Sequence, residues 1–386
     1  MLYDSVPVMN AFSVSACRAH IHLDRIQRNF QRIGPAERLI PVVKSDAYGH
    51  GLLPVARALA QCGARSFAVG TVSEALCLRA EGLGDAAHDG AFCLVLLGAP
   101  TPEEMAQAAA SDIVPLVHDQ RSLDLAAAHG SPERPLRIAV KWDTGMTRLG
   151  FSPEDAPAVI ETLRSLPNLQ AVLCMSHLAA ADASEHDGYT DRQIQTFNAL
   201  VRHMRCFPAL RATLANSAAA LGWPSAAFDL ARPGIALYGG NPFHGTGRAA
   251  RGAMLECAMD VSAPVLHIRH IPAGESVGYG RAFTAPHDMR IGVIGVGYAD
   301  GYPRAFSNRG QILLRGKRVA VIGRVCMGMI FVDLSETPDA HIGDTAWLLG
   351  GPEPNAVTVH ELADAWGTIS YEVFCLLGRN TRSYGA

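Results

Sequence analysis

Between residues 38 and 240, short apolar runs alternate with amphipathic or alanine-rich stretches, and the alternation predicts eight strand–helix units. The runs are Leu39–Lys44, Ser66–Val69, Phe92–Leu97, Ile113–Val117, Leu136–Lys141, Ala171–Ser176, Ala212–Leu214 and Gly234–Leu237. Leu52–Gln61, Ser73–Ala80, Pro102–Ala109, Arg121–His129 and Tyr189–Cys206 read as helices between them. A parallel strand covered on both faces buries every side chain, so it shows a continuous apolar run rather than alternation. Eight such runs in βα order predict an α/β fold with a (β/α)8 TIM-like barrel. No G-x-G-x-x-G follows the first run, which argues against a dinucleotide-binding sheet.

After residue 252 the pattern becomes short, β-branched and turn-bounded, in Val261–Arg269, Arg290–Gly297, Gln311–Leu314, Arg318–Ile322, Met329–Leu334 and Asp344–Leu349. This predicts a mostly β C-terminal domain. The expected division is a barrel over 17–252 and a β-domain over 253–386, with residues 1–16 packing on the latter. The stretch Asn241–Gly252, rich in glycine and small residues, reads as the linker.

Composition narrows the partners. The 386 residues are 49% hydrophobic and 18% charged with a net charge of -3, which gives no reason to expect nucleic acid or a membrane. No apolar run approaches the roughly 20 residues that span a bilayer. The first residues lack the basic and apolar regions of a secretory signal. Nine dispersed cysteines without a CxxC pair read as reduced thiols in a cytoplasmic protein. His20 and His22 have no third ligand nearby, so no metal site is expected.

The chemistry concentrates at RLIPVVKSDAYGHG, where Lys44 ends an apolar run and enters a polar turn. In a barrel this is the C-terminal face, where active sites lie. Partial desolvation there lowers a lysine's pKa and frees its amine for a Schiff base. Taken alone, a lysine at a strand end is more often a surface cap.

The word PVVKSDAYGHG closely resembles the pyridoxal 5′-phosphate (PLP) lysine motif of alanine racemases. Further along, VKWDTGMTRLGF, MSHLAAAD, LANSAA, ARPGIALYG, SVGYGRAF, VGYADGYPR and GRVCMG resemble that family's segments in order, over residues 20 to 375. The resemblance implies that Lys44 carries PLP, that Tyr48, Ser217 and the backbone of Gly234 and Ile235 hold its phosphate, and that Asn216 also binds the cofactor. It implies that Arg232 faces the pyridine nitrogen. An arginine keeps its own proton, so the ring would be a weaker electron sink than one opposite a carboxylate.

Racemisation needs proton transfer on both faces of Cα, and the resemblance assigns these to Lys44 and Tyr279, the latter from the second subunit of a homodimer. His177, beside Arg232, would help Tyr279 act as a base. Arg148 and the Met327 amide would meet the substrate carboxylate, Tyr298, Asp182 and Arg304 would line the entry, and Lys141 is a candidate for carbamylation. The implied activity is interconversion of L- and D-alanine, supplying D-alanine for the cell wall or serving alanine catabolism.

Two departures stand out. Gly328-Met329 replaces the family's usual Asp-Gln after Cys326-Met327, and Arg379 lies where several relatives have a phosphate-binding tyrosine. A broader amino-acid racemase acting on serine, a PLP-dependent decarboxylase and a non-catalytic PLP carrier are the alternatives.

Overall fold

A computed structural model describes residues 16–85 and 90–385. The chain divides into two compact units, His22–Ala258 and a second unit formed by Met259–Gly385 with the segment ending at Ile21. The divisions thus fall at 21/22 and 258/259, a few residues from the changes in sequence pattern. Residues 1–15, expected to pack on the β-domain, lie outside the described residues.

In His22–Ala258, six parallel strands pair in chain order: β2 (Phe67–Val69), β3 (Cys93–Val95), β4 (Val114–Val117), β5 (Leu136–Lys141), β6 (Leu169–Met175) and β7 (Arg211–Thr213). Single parallel bridges continue the ring. Thr213 pairs with Leu230, Ala231 with Leu39, and Val42 with Ala68 of β2. Eight chain positions therefore close a barrel, and its strands bury Phe67, Leu94, Val140 and Leu173 completely.

Two of the eight predicted strands are changed by proline. Pro41 interrupts the first, which survives as bridges at Leu39 and Val42, because proline has no N–H for the ladder. The sequence pattern predicts the eighth at Gly234–Leu237, but the ladder partners are Leu230 and Ala231, and Ile235–Tyr238 is a short 3-10 turn beyond Pro233.

Helix starts follow side-chain chemistry. Thr71, Thr101 and Asp119 each accept from the amide three residues on, opening Val72–Ala80, Pro102–Ala110 and Gln120–Ala127. Such caps contribute about 1 kcal/mol each. The helices Leu23–Ile33, Ala156–Ser165 and Ser217–Gly222 are not among those predicted. The first docks through buried Ile26 and Phe30, while Asn29 bonds the backbone of Leu237 and Glu256.

Asn241–Gly252 is not a linker. It is folded into the barrel unit, with Phe243 fully buried, Asn241 bonding the Ala249 carbonyl, and Arg248 paired with Asp187 and lying over the Trp223 ring.

The second unit is mostly antiparallel. Its strands are β1 (Arg18–His22), β8 (Met259–Ile271), β9 (Ser276–Val277), β10 (Phe283–Thr284), β11 (Met289–Ile294), β12 (Gln311–Leu314), β13 (Lys317–Ile322), β14 (Ile330–Asp333), β15 (Thr345–Leu349) and β16 (Thr381–Gly385). The 13-residue β8 pairs with β15 through its first half and with β11 through its second. The order β8–β11–β14–β13–β12–β15–β8 closes a ring, and β1 and β16 extend from the free edge of β8. Two helices, Val359–Trp366 and Ser370–Leu377, were absent from the sequence reading. The hairpin β9–β10 is anchored by Val277, Ala285, Met289, Ile291 and Ile322, with Phe283 and Phe331 packed against them. Among the described residues no helix is long and apolar enough to cross a membrane.

Candidate active site

Lys44 follows the barrel's first position directly. Val42 and Val43 donate to the carbonyls of Pro233 and Ala68, each at 2.8 Å. Ser45, Asp46, Ala47 and Tyr48 then adopt φ of 55, 55, 54 and 54°, a left-handed turn built from residues with side chains. The left-handed region costs about 1–2 kcal/mol for each such residue, so it persists only where the surroundings fix it. Here Asp46 Oδ1 accepts from Leu52 N at 2.7 Å, and Gly51 N donates to the Asp46 carbonyl at 2.9 Å. The Tyr238 hydroxyl donates to Val42 at 2.9 Å while its ring packs on Tyr48 and His50.

Polar donors gather beside this turn. A Cβ on Gly234 would lie 2.5 Å from the Tyr48 hydroxyl oxygen, so the hydroxyl and the Gly234 backbone are in close approach. Ser217 Oγ accepts from Gly234 N at 2.9 Å and Ala236 N at 3.3 Å. Asn216 caps the helix Ser217–Gly222, accepting from Ala219 N and donating to the Leu178 carbonyl. Hydroxyls and amide N–H groups around a glycine backbone are the donor set a phosphate takes.

Arg232 is buried at the end of the same segment. Nη1 donates to Thr213 Oγ1 at 2.6 Å, and Nη2 donates to the Ser176 carbonyl at 2.5 Å and lies 3.4 Å from His177 Nδ1. Burial, then the charge of Arg148, lower its pKa to about 10, so it remains cationic at neutral pH. Half-buried His177 is held well below its usual pKa by desolvation and by Arg232, Lys141, Arg148 and Lys44, and is neutral. Lys141, the last residue of β5, is buried among the same cations. Desolvation, Arg232 and Arg148 lower its pKa to about 7.

Arg148 is exposed on the loop after β5. Asp143 Oδ1 shapes this loop by accepting from the amides of Gly145, Met146 and Thr147 at 2.9, 2.9 and 3.0 Å. Asp182 is exposed on the loop after β6.

The remaining predicted residues belong to the second unit. Tyr279 is 70% exposed in a turn flanked by Gly278 and Gly280, both at positive φ, at the tip of the β9–β10 hairpin. Tyr298 and Met327 lie on two turns locked together. Tyr298 N donates to the Cys326 carbonyl at 3.1 Å and Ala299 N to that of Met327 at 2.9 Å. A Cβ on Gly297 would be 2.3 Å from both carbonyl oxygens, so glycine is required there. Arg304 is exposed on the next 3-10 turn, and Arg379 is exposed after the last helix.

The family model for the alanine racemase N-terminal domain matches residues 21–242, and the C-terminal domain matches residues 258–384. The chain belongs to the alanine racemase family. It is an amino-acid racemase, and it interconverts L- and D-alanine. An alanine racemase of Nitratidesulfovibrio vulgaris strain Hildenborough is 48% identical over 366 residues, covering 94% of this chain and 96% of that protein. The crystal structure of the biosynthetic alanine racemase of Pseudomonas aeruginosa has a TM-score of 0.85 at 36% identity, covering 96% of this chain and 99% of that one. The Bartonella henselae alanine racemase, solved with covalently bound pyridoxal phosphate, has a TM-score of 0.82 at 29% identity, covering 96% and 99%. The family is PLP-dependent.

The donor set of the racemase fits that cofactor. A lysine stands at the strand end, hydroxyl and amide donors surround Gly234, and a buried guanidinium lies on the same rim. Several supporting residues escaped the sequence reading. Thr213 fixes Arg232, and Asp143 folds the Arg148 loop. Gln193, buried, ties the His177 carbonyl to Thr144, while Oε1 accepts from Ala179 N. A buried glutamine inside an amphipathic helix was the available signal for this last residue.

Proposed function

We propose that this racemase interconverts L- and D-alanine through Lys44 and Tyr279 of the partner subunit, acting on opposite faces of Cα with PLP as cofactor. The observation that carries the reading is the buried Arg232 set against neutral His177 on the rim that holds Lys44. PLP, when bound, supplies a conjugated ring that acidifies the Cα–H of the attached amino acid. Lys44 would hold the cofactor covalently, Tyr48, Ser217 and the backbone of Gly234 and Ile235 would hold its phosphate, and Asn216 would also bind the cofactor. Arg232 would set a fixed positive charge against the ring nitrogen, which then stays unprotonated.

Lys44 Nζ moves a proton at one face of Cα. On the other face the proton is held by the hydroxyl of Tyr279 of the partner subunit. An unperturbed phenol, with a pKa near ~10, is a poor base at neutral pH. His177 corrects this. Arg232 can only donate, so His177 Nδ1 is an acceptor and Nε2 carries the proton of the neutral ring. An Nε2–H donated to the phenolic oxygen favours the phenolate. The high exposure of Tyr279 supports its use by another subunit in a homodimer.

Arg148 and the Met327 amide would bind the substrate carboxylate, the forked guanidinium matching its two oxygens. Tyr298, Asp182 and Arg304 would line the approach. The lowered pKa of Lys141 supports its carbamylation, because carbon dioxide adds only to the neutral amine. The resulting carbamate would offset the positive charge of Arg148 and Arg232. We place the enzyme in the cytoplasm, supplying D-alanine for the cell wall or consuming it in catabolism.

A Cβ on Gly328 would meet no atom within 4 Å. This open position favours a second reading, a broader racemase that also accepts serine. Racemisation of single enantiomers of alanine and serine, with cofactor absorbance recorded on the same sample, tests both readings. Lys44→Ala should lose turnover and the absorbance of lysine-bound cofactor together. Retention of both would overturn the assignment of Lys44.

A further inference from the structure

We propose that Glu74 is a positioning residue for Lys44, its single carboxylate capping both the left-handed turn after that lysine and the right-handed helix Val72–Ala80. The inference rests on the assignment of Lys44 above and adds a residue that acts through the backbone of the turn.

Each carboxylate oxygen has its own task. Oε2 accepts from Gly70 N at 2.7 Å and Thr71 N at 3.3 Å, at the end of β2. Oε1 accepts from Asp46 N at 3.3 Å, within the left-handed turn. The next amide of the turn, Ala47 N, donates to the Val43 carbonyl at 2.9 Å. Gly70 separates the two partners. A Cβ there would lie 3.1 Å from Glu74 Oε2 and 3.6 Å from Lys44 Cβ. The carboxylate therefore links the strand beside Lys44 to the backbone two residues beyond it.

The arrangement demands a carboxylate. Both oxygens accept N–H groups, and a glutamine would turn one end into a donor facing a donor. Ordinary helix capping needs less. Thr71 Oγ1 accepts from Glu74 N at 3.3 Å and caps the same helix without reaching the Lys44 turn. Thr71→Ala thus weakens the helix cap alone, whereas Glu74→Gln also loosens the turn that aims the lysine.

The test compares Glu74→Gln, Glu74→Asp, Thr71→Ala and Lys44→Ala in the PLP-loaded enzyme. The measurements are thermal midpoint, PLP release after dilution, and kcat and KM for alanine. Hydrogen–deuterium exchange of a peptide containing Asp46 is followed in each folded variant. Glu74→Gln should release PLP faster and lower kcat, each on the order of tenfold, with KM little changed, and should speed exchange at Asp46. Glu74→Asp, too short to reach both turns, should behave alike. Thr71→Ala should lower the midpoint comparably and alter none of these. If Glu74→Gln and Glu74→Asp match Thr71→Ala in release, kcat and exchange, Glu74 is only a helix cap and the proposal fails. Should Glu74→Gln not fold, Glu74→Asp decides by the same readouts. Lys44→Ala separates the two failures: retained turnover there overturns the reading of Lys44 itself.

Discussion

Arg232 Nη2 lies 3.4 Å from His177 Nδ1, and this pairing fixes the tautomer of the histidine. A guanidinium has no lone pair to offer, so Nδ1 accepts and Nε2 bears the hydrogen. Desolvation, then the cations around the ring, hold it neutral, so the same residue cannot become a competing positive charge at neutral pH. Arg232 is in turn held by Thr213 and the Ser176 carbonyl. Thr213→Val should therefore loosen the guanidinium without changing its charge. We expect kcat to fall by a few-fold to tenfold, consistent with loss of one charged hydrogen bond of about 1.5–3 kcal/mol partly replaced by water. Steady-state kinetics check this, and an unchanged kcat would show that Thr213 does not orient Arg232.

Gly234→Ala should damage cofactor retention more than folding. The added Cβ would lie 2.5 Å from the Tyr48 hydroxyl, which must move. Overpacking of this kind costs about 1–3 kcal/mol. PLP release should accelerate, and the double variant Tyr48→Phe/Gly234→Ala should show less than the sum of the two single effects, because the clashing atom is gone. Additive effects would mean that the two sites act independently.

Lys141 gives a pH dependence with a definite sign. Its folded pKa is lowered from 10.5 to about 7. Between these values the unfolded chain holds a proton that the folded chain lacks, so stability rises with pH across the window. The cost is complete below about pH 7. The expected slope is about 1.4 kcal/mol per pH unit. Lys141→Met removes this contribution. In buffer free of carbon dioxide, the stability advantage of the variant should shrink as pH rises from 7 towards 10. Denaturant midpoints measure it, and a constant difference would show that Lys141 is not titrating in that window.

The barrel strands were legible because burial on both faces leaves uninterrupted apolar runs, as in Val114–Val117 and Leu136–Lys141. Helix starts were legible where Thr101 precedes Pro102. Proline set the two local failures: Pro41 broke the first strand, and Pro233 moved the eighth to Leu230–Ala231. The stretch Asn241–Gly252 looked like a linker because composition does not reveal that Arg248 reaches Asp187 and Trp223. Lys44, Arg232 and Tyr279 stood out only within motifs. The supports of Lys44 and Arg232 did not, since Thr213 meets Arg232 through barrel closure, and the left-handed turn uses Ser45, Asp46 and Ala47, residues that do not announce positive φ.

Intersubunit complementation tests where Tyr279 acts. Lys44→Ala and Tyr279→Phe are each expected to be inactive as pure proteins. A mixed dimer has one site with Lys44 from one chain and Tyr279 from the other, both intact. Random exchange should therefore restore about a quarter of wild-type activity, since half the dimers are mixed and half of their sites are whole. No recovery after verified exchange would place Tyr279 with the Lys44 of its own chain.

The most direct measurement of the Lys44–Tyr279 pairing is deuterium wash-in at Cα of Tyr279→Phe, started from each alanine enantiomer separately. The enantiomers are equal in energy, so kcat/KM must fall by the same factor in both directions, and rates of inversion alone cannot separate the faces. Proton exchange can. With Lys44 intact, one enantiomer should keep exchanging its Cα hydrogen without inverting, while exchange from the other falls by about 100-fold or more. Comparable exchange from both enantiomers, with inversion at the wild-type rate, would contradict the assignment of Tyr279 to the opposite face.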